Sequence, residues 1–326
     1  MSFLTGVNTR GTVNLVNFAR DTVNLVNFPI SGADAPPETA DAINRPFFLA
    51  IPVANRRKSC SAAPMQMRKQ QSANDPVADR LGLPSEDELI AAVKALAPKE
   101  EAIALTLDAL KTGTFRHPDG RTDDLQTVRL HPGQVGLLAH LARECPKPLS
   151  IEIGFGMGSS ASVILGARRL AGQPFAHLIF DPFGLPGGRG KVVQSYLKAR
   201  FPKAFRRIMK RSEIGLGALI DKVGRGAAGF IFVDGGHQFE NAMTDFVLAD
   251  LLCCPGGTIV YDDARYPAIE TVINYVIANR PDYAVAHLAV ANTSVLKKIG
   301  PDKRGWDSFK PFEVPQREDW TPSSAE

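Results

Sequence analysis

Several clusters in this chain have the residue types and spacing for chemistry. The first is Glu152-Ile153-Gly154-Phe155-Gly156-Met157-Gly158-Ser159-Ser160, with alternate glycines between a strand-like run and a helix-like one. Missing side chains let such a backbone turn sharply and lie against a ligand. NAD enzymes use a similar turn, but the spacing here is GxGxG rather than GxGxxG, and Glu152 stands two residues before the first glycine. That acid can receive the charged amino group of a methionine moiety, whereas the anionic pyrophosphate of a dinucleotide would gain nothing from it. The competing reading is a structural glycine turn with a solvated glutamate. Asp181 follows Gly158 by a little over twenty residues and ends a strand-like run. An acid there can accept hydrogen bonds from ribose hydroxyls, in NAD and in other nucleosides alike, or simply cap a helix in Asp-Pro-Phe-Gly. Ser212 and Glu213 follow the next strand-like run, where an adenine lies in such folds, although a plain turn fits equally.

The remaining cluster is acidic. Val233-Asp234-Gly235-Gly236-His237 closes one strand-like run and Asp262-Asp263 closes the next. Neighbouring strand ends in an open α/β sheet share one rim, where ligands bind. Carboxylates crowded there repel one another unless a cation is present, and hard oxygen ligands suit Mg²⁺, Mn²⁺ or Ca²⁺. The alternative treats Asp262-Asp263 as a turn and Asp234 as a cofactor-side acceptor.

These residues need a scaffold, and the apolar pattern supplies one. From residue 149 the chain alternates strands and helices. The expected strands are 149–153, 177–180, 207–210, 229–233 and 258–261, with helices near 191–200, 238–251 and 267–279. Phe230-Ile231-Phe232-Val233 is the continuous apolar run that a parallel sheet buries on both faces. Such alternation predicts a Rossmann-like α/β fold with a doubly wound, mostly parallel sheet. The last two strands, about 283–289 and 293–298, are joined by a short Ala-Asn turn and form a C-terminal antiparallel hairpin. Helices precede the sheet. Ser85 before Glu86, Asp87 and Glu88 is an N-cap with first-turn acids, followed by the stripe Leu89, Ile90, Val93 and Leu96. A second helix covers 99–111, and Pro132 opens a third whose buried face is Val135, Leu137, Leu138 and Leu141.

The chain thus divides into a disordered or loosely ordered extension over 1–80, a helical segment over 81–145, the core over 146–300 and an aromatic, proline-containing tail over 301–326. The extension repeats Thr-Val-Asn-Leu-Val-Asn-Phe at 12–18 and 22–28, too few copies for a solenoid. Met65 or Met67 could be the true start. Trp306, Phe309, Phe312 and Trp320 suit the tail to a lid or a dimer contact.

The 326 residues carry a net charge of +4, too mild for nucleic-acid binding across the chain, and no apolar run reaches a membrane-spanning length. Lys198, Arg200, Lys203, Arg206, Arg207, Lys210 and Arg211 crowd one segment. They read as a solvated face or as an electropositive rim for an acidic substrate. Cys60, Cys145, Cys253 and Cys254 follow no metal spacing and read as small buried thiols of a reducing compartment, so a cytoplasmic location is expected.

With those motifs in view, residues 131–300 resemble the class I S-adenosylmethionine-dependent methyltransferases. The likeness is specifically to the metal-dependent small-molecule O-methyltransferases of the macrocin, cephalosporin-cluster and catechol-like groups. It rests on SIEIGFGMGSSAS, LIFDPFG, the closing hairpin and, most specifically, FIFVDGGHQFENAMTDFVLADLLCCPGGTIVYDDARYPAIETVINYV. The resemblance implies S-adenosylmethionine held by Glu152, Gly154, Phe155, Gly156, Gly158, Ser159, Asp181, Ser212 and Asp234. It also implies Mg²⁺ or another divalent cation on Asp234, Asp262 and Asp263. Many relatives carry an acid two residues after the first aspartate; here that position is Gly236, and His237 becomes the best remaining proton acceptor beside Asp234. A histidine facing solvent at a helix start is the competing reading.

The implied reaction is in-line methyl transfer to a hydroxyl of a small molecule or glycan, with no nucleic-acid partner and with self-association left open. The alternatives are an NAD(P)-dependent oxidoreductase and a non-catalytic S-adenosylmethionine-binding protein.

Overall fold

The computed structural model describes residues 3–7, 13–17, 81–125, 130–182, 190–288 and 291–316. The chain divides into two compact units, Met1–Ser72 and Ala73–Glu326. In the first, β1 (Phe3–Val7) and β2 (Val13–Asn17) pair antiparallel, with Thr5 opposite Leu15. β2 falls on the first copy of the repeat; the second copy, Cys60, Met65, Met67 and Trp320 lie outside the described residues.

The second unit opens with α1 (Glu86–Leu96), started by a capping box in which Ser85 and Glu88 satisfy each other's backbone amides. After a 3-10 turn at Ala97–Lys99 come α2 (Glu101–Thr112) and a small hairpin, β3 (Thr114–Arg116) with β4 (Thr122–Asp124), which the sequence reading did not foresee. α3 (Pro132–Arg143) carries proline in its first turn and buries Val135, Leu137, Leu138 and Leu141, the expected face.

The core then alternates as expected: β5 (Leu149–Ile153), α4 (Ser159–Leu170), β6 (Ala176–Phe180), α5 (Lys191–Arg200), β7 (Phe205–Ile208), α6 (Ser212–Val223), β8 (Ala228–Val233), α7 (Phe239–Leu252), β9 (Cys253–Tyr261), α8 (Pro267–Asn279), β10 (Tyr283–Leu288) and β11 (Thr293–Lys298). The sheet order is β10-β11-β9-β8-β5-β6-β7, parallel from β9 to β7 and antiparallel through β11. One face packs on α1, α3 and α4 through Phe230, Phe232, Val260 and Val295. The other packs on α6, α7 and α8 through Ile151, Ile153, Ile231, Val233, Ile259 and Tyr261. All six residues of β8 are buried, as a strand covered on both faces must be.

Two features depart from the expected strands. β7 starts two residues earlier than its apolar pattern suggests. β9 begins at Cys253 and runs through the Pro-Gly-Gly stretch as an irregular strand, its register against β8 shifting between Ala228 and Phe230. The helix α6 is also new, because its two glycines dilute the periodic signal. Gly215 is required by packing: a Cβ there would lie 2.3 Å from the Phe180 ring.

The order reverses between β5 and β8, so their carboxyl ends flank the topological switch point, the place where open α/β sheets bind ligands. Among the described residues no helix is long and apolar enough to cross a membrane. Cys145, Cys253 and Cys254 are free thiols, the last two buried.

Candidate functional site

The glycine turn is built at that switch point. Gly154, Gly156 and Gly158 all have positive φ, at 90°, 47° and 77°. Only glycine adopts such angles without strain. At Gly154 the demand is also steric, since a Cβ would lie 1.8 Å from the Asp234 carbonyl oxygen. The two loops that carry the candidate chemistry therefore touch, backbone to backbone. Amide bonds fix them: Gly154 N donates to Phe180 O at 2.9 Å, Asp234 N to Ile153 O at 2.9 Å and Asp262 N to Val233 O at 3.0 Å. Phe155 turns its ring inward and is 2% exposed. Gly158 is the N-cap of α4 and supplies no side-chain cap, so the first-turn amides, beginning at Ser159, face the turn with the positive end of the helix dipole.

Glu152 lies beneath this turn. It has no exposed surface, and its carboxylate accepts from Ser160 Oγ at 2.5 Å and lies 2.7 Å from His177 Nε2. Asp181, at the end of β6, is almost fully buried as well: its Oδ2 accepts from the Phe155 amide at 3.0 Å and from Arg207 at 3.1 Å. Arg207 stacks over the Phe155 ring at 4.6 Å and donates to Gln194 at 2.7 Å, which ties Asp181 to α5. The basic segment is thus partly paired: Arg207 with Asp181, Arg200 with the buried Glu100, and Arg211 with Glu213. Its remaining lysines, Lys198, Lys203 and Lys210, are exposed.

Ser212 follows β7 and opens α6, where the sequence suggested a turn or an adenine-side residue. Below it Asp245 of α7 is buried, and burial pushes its carboxyl up to about 6, against a hydrogen bond with Ser212 that pulls it down.

On the β8–β9 side, ligand atoms of Asp234, His237 and Asp263 all lie within 4.8 Å of one another. His237 Nε2 is 3.1 Å from Asp263 Oδ2, and its ring packs 4.5 Å from that of Tyr266. Asp262 is placed differently, its Oδ1 accepting the Asp263 amide at 2.7 Å. Burial, followed by repulsion from Asp262, Asp263 and Glu152, holds the Asp234 carboxyl well above its ordinary range. Burial and the neighbouring Asp263 push Asp262 up to about 6. The rim therefore crowds carboxyl groups whose charged forms disfavour one another.

Two residues shape this rim that the sequence did not single out. Asp263 has φ 52°, left-handed for a non-glycine residue, and Asn292 of the β10–β11 turn has φ 49°. Asn292 pins Asp263, donating to its Oδ1 at 3.0 Å while accepting the Arg265 amide at 2.8 Å. Such backbone strain persists where surrounding bonds over-determine it. Gln134, on the first turn of α3, is 3% exposed, and its side chain favours the ionised form of Asp262. Its buried Nε2, the only donor of that side chain, is the group that acts on Asp262, and it forms no closer hydrogen bond. A short Asn in a turn and a Gln on an apolar helix face carry no sequence signal of this role.

Residues 151–264 match the family model of a methyltransferase domain. A comparison with curated proteins finds no match. Among solved structures, the S-adenosylhomocysteine-bound methyltransferase of Podospora anserina is 16% identical, over 71% of this chain and 99% of that one, with TM-score 0.46. The O-methyltransferase of Bacillus cereus in complex with S-adenosylhomocysteine is 15% identical over 69% and 96%, with TM-score 0.44. The O-methyltransferase TomG of Streptomyces achromogenes, involved in tomaymycin synthesis, is 18% identical over 69% and 95%, with TM-score 0.43.

Proposed function

We propose that this protein transfers the methyl group of S-adenosylmethionine to a hydroxyl oxygen of a small molecule or glycan. The observation that carries the reading is the contact of the glycine turn with the acidic loop, Gly154 against Asp234, at the switch point of the sheet. It puts a nucleoside-type cradle and a set of proton-accepting groups on either side of one crevice.

The cofactor side comprises Gly154, Phe155, Gly156, Gly158 and Ser159, backed by Glu152, with Asp181 for the ribose and Ser212 toward the adenine. The open amides of α4 suit the carboxylate of an amino-acid arm. In the reaction the sulfonium S–C bond breaks as the acceptor O–C bond forms, the electron pair passes to sulfur, and the hydroxyl proton passes to His237. Asp263, 3.1 Å from His237 Nε2, orients the imidazole. Most of the rate comes from holding donor and acceptor in line.

Of the expected set Asp234, Asp262 and Asp263, the ligand atoms of Asp234 and Asp263 lie together with His237 while Asp262 Oδ1 is turned to the Asp263 amide; the oxygens of Asp234 and Asp263 suit a hard divalent cation. Such a cation would lower the pKa of a bound hydroxyl and fix its direction. With His237 reserved for the proton, the carboxylates hold the cation. The test is methyl transfer from radiolabelled S-adenosylmethionine to a panel of hydroxylated acceptors, with Mg²⁺ and with chelator. Product only with Mg²⁺ supports the full reading; equal product under chelator removes the cation; label on nitrogen or carbon removes the oxygen acceptor.

A further inference from the structure

The glycine turn is bracketed by two side chains that meet beneath it. Glu152 stands two residues before Gly154 and Ser160 two residues after Gly158, and Ser160 Oγ donates to Glu152 Oε1 at 2.5 Å. This bond staples the turn shut across its base. The other carboxylate oxygen lies 2.7 Å from His177 Nε2 of β6, and His177 Nδ1 lies 3.1 Å from Ser150 Oγ. Ser150 also donates to the Ala176 carbonyl at 3.2 Å. The His177 ring thus spans the gap between the Glu152 carboxyl and the Ser150 hydroxyl. Glu152, His177 and Ser150 have no exposed surface, and Ser160 is 5% exposed.

A carboxylate can accept further bonds, but here nothing outside the protein reaches it. A cofactor ammonium would have to enter a closed, fully paired site. The same side chain does join three elements that build the cradle. It belongs to β5, it grips the first turn of α4 through Ser160, and it grips β6 through His177, three residues before the end of the strand that delivers Asp181. The Phe155 amide then bonds Asp181 across the top of the turn at 3.0 Å.

We propose that Glu152 is a positioning residue and not a ligand contact: held by His177 and Ser160, it sets the glycine turn, the start of α4 and the ribose acceptor as one cradle. This rests on the reading of the site as one that binds an S-adenosyl nucleoside.

The test compares two probes by calorimetric titration. S-adenosylhomocysteine carries the amino-acid arm; 5′-methylthioadenosine has the same thioether nucleoside without it. For positioning, Glu152→Gln and Ser160→Ala each weaken both probes on the order of tenfold, because a displaced cradle misplaces every contact. The double variant is no weaker than either single one. His177→Gln, which keeps a donor, stays near wild type, while His177→Phe reproduces the loss. Loss of S-adenosylhomocysteine affinity with unchanged 5′-methylthioadenosine affinity in Glu152→Gln would overturn the proposal in favour of a direct ammonium contact. Lower melting temperatures with both affinities intact would overturn it in favour of a purely structural pair. Ser160→Ala and His177→Gln decide the matter if Glu152→Gln fails to fold. Wild-type protein that binds neither probe removes the nucleoside reading itself, a result distinct from every variant outcome.

Discussion

On the β5–β6 side of the crevice the acids are paired and enclosed. Glu152 is shared between Ser160 and His177, and Asp181 between the Phe155 amide and Arg207. On the β8–β9 side the acids face one another. Asp234 and Asp262 are held above their ordinary range by burial and by repulsion from neighbouring acids, and Asp263 sits in a left-handed conformation. A side that is satisfied in the free protein is preorganised and binds with little rearrangement. A side left short of partners has bonds to give to something that arrives, whether a cation, a substrate oxygen or a proton. On the proposed function, the two halves divide recognition of a cofactor from reaction with an acceptor.

The sharpest way to break that division is to empty the acidic half. Asp263→Ala and His237→Ala should each lower methyl transfer by about a hundredfold or more, the usual yield of a positioned acid–base group. Their affinity for S-adenosylhomocysteine should stay within roughly threefold of wild type, since neither residue belongs to the preorganised side. Equal losses of binding and turnover would show that the halves are one site.

The next effect falls on the seam. Gly154→Ala must push its Cβ away from the Asp234 carbonyl while holding a φ of 90°. Urea unfolding should show a loss of roughly 2–3 kcal/mol, and both cofactor affinity and turnover should fall together.

The acidic half also predicts a pH signature. Asp262 and Asp245 carry pKa values raised from 3.8 to about 6. Each binds its proton more tightly folded than unfolded, so folding gains at low pH, and that gain is lost as pH rises from about 4 to about 6. Asp262→Asn should then be more stable than wild type at pH 8, by up to about 3 kcal/mol, and no more stable at pH 4. Mg²⁺ should narrow the difference at pH 8 by stabilising wild type alone, read as a rise in melting temperature. The smallest effect is Asn292→Ala. It removes a bond to Asp263 worth about 1 kcal/mol and should reduce turnover more than stability.

Much of this was legible in the sequence because it rests on local pattern. The strand ends at Ile153, Phe180, Val233 and Tyr261 follow from apolar runs, and the glycine spacing marks the turn. The acids at 234, 262 and 263 were placed on one rim by topology alone. What stayed hidden depends on contacts between distant segments. His177 reads as one polar residue in a strand, and only the β5–β6 register puts it opposite Ser150, from where its ring reaches Glu152. Asn292 reads as a hairpin turn, and only the folded sheet carries it to Asp263. Helix α6 was missed because Gly215 and Gly217 weaken its helical signal, while the packing of Phe180 against Gly215 makes that glycine necessary.

The most direct measurement is titration of S-adenosylhomocysteine into the full-length protein and into Asp263→Ala, each with and without Mg²⁺. The account predicts micromolar binding to both proteins, unchanged within about threefold by the metal. Absence of binding to the wild-type protein in either condition would contradict it.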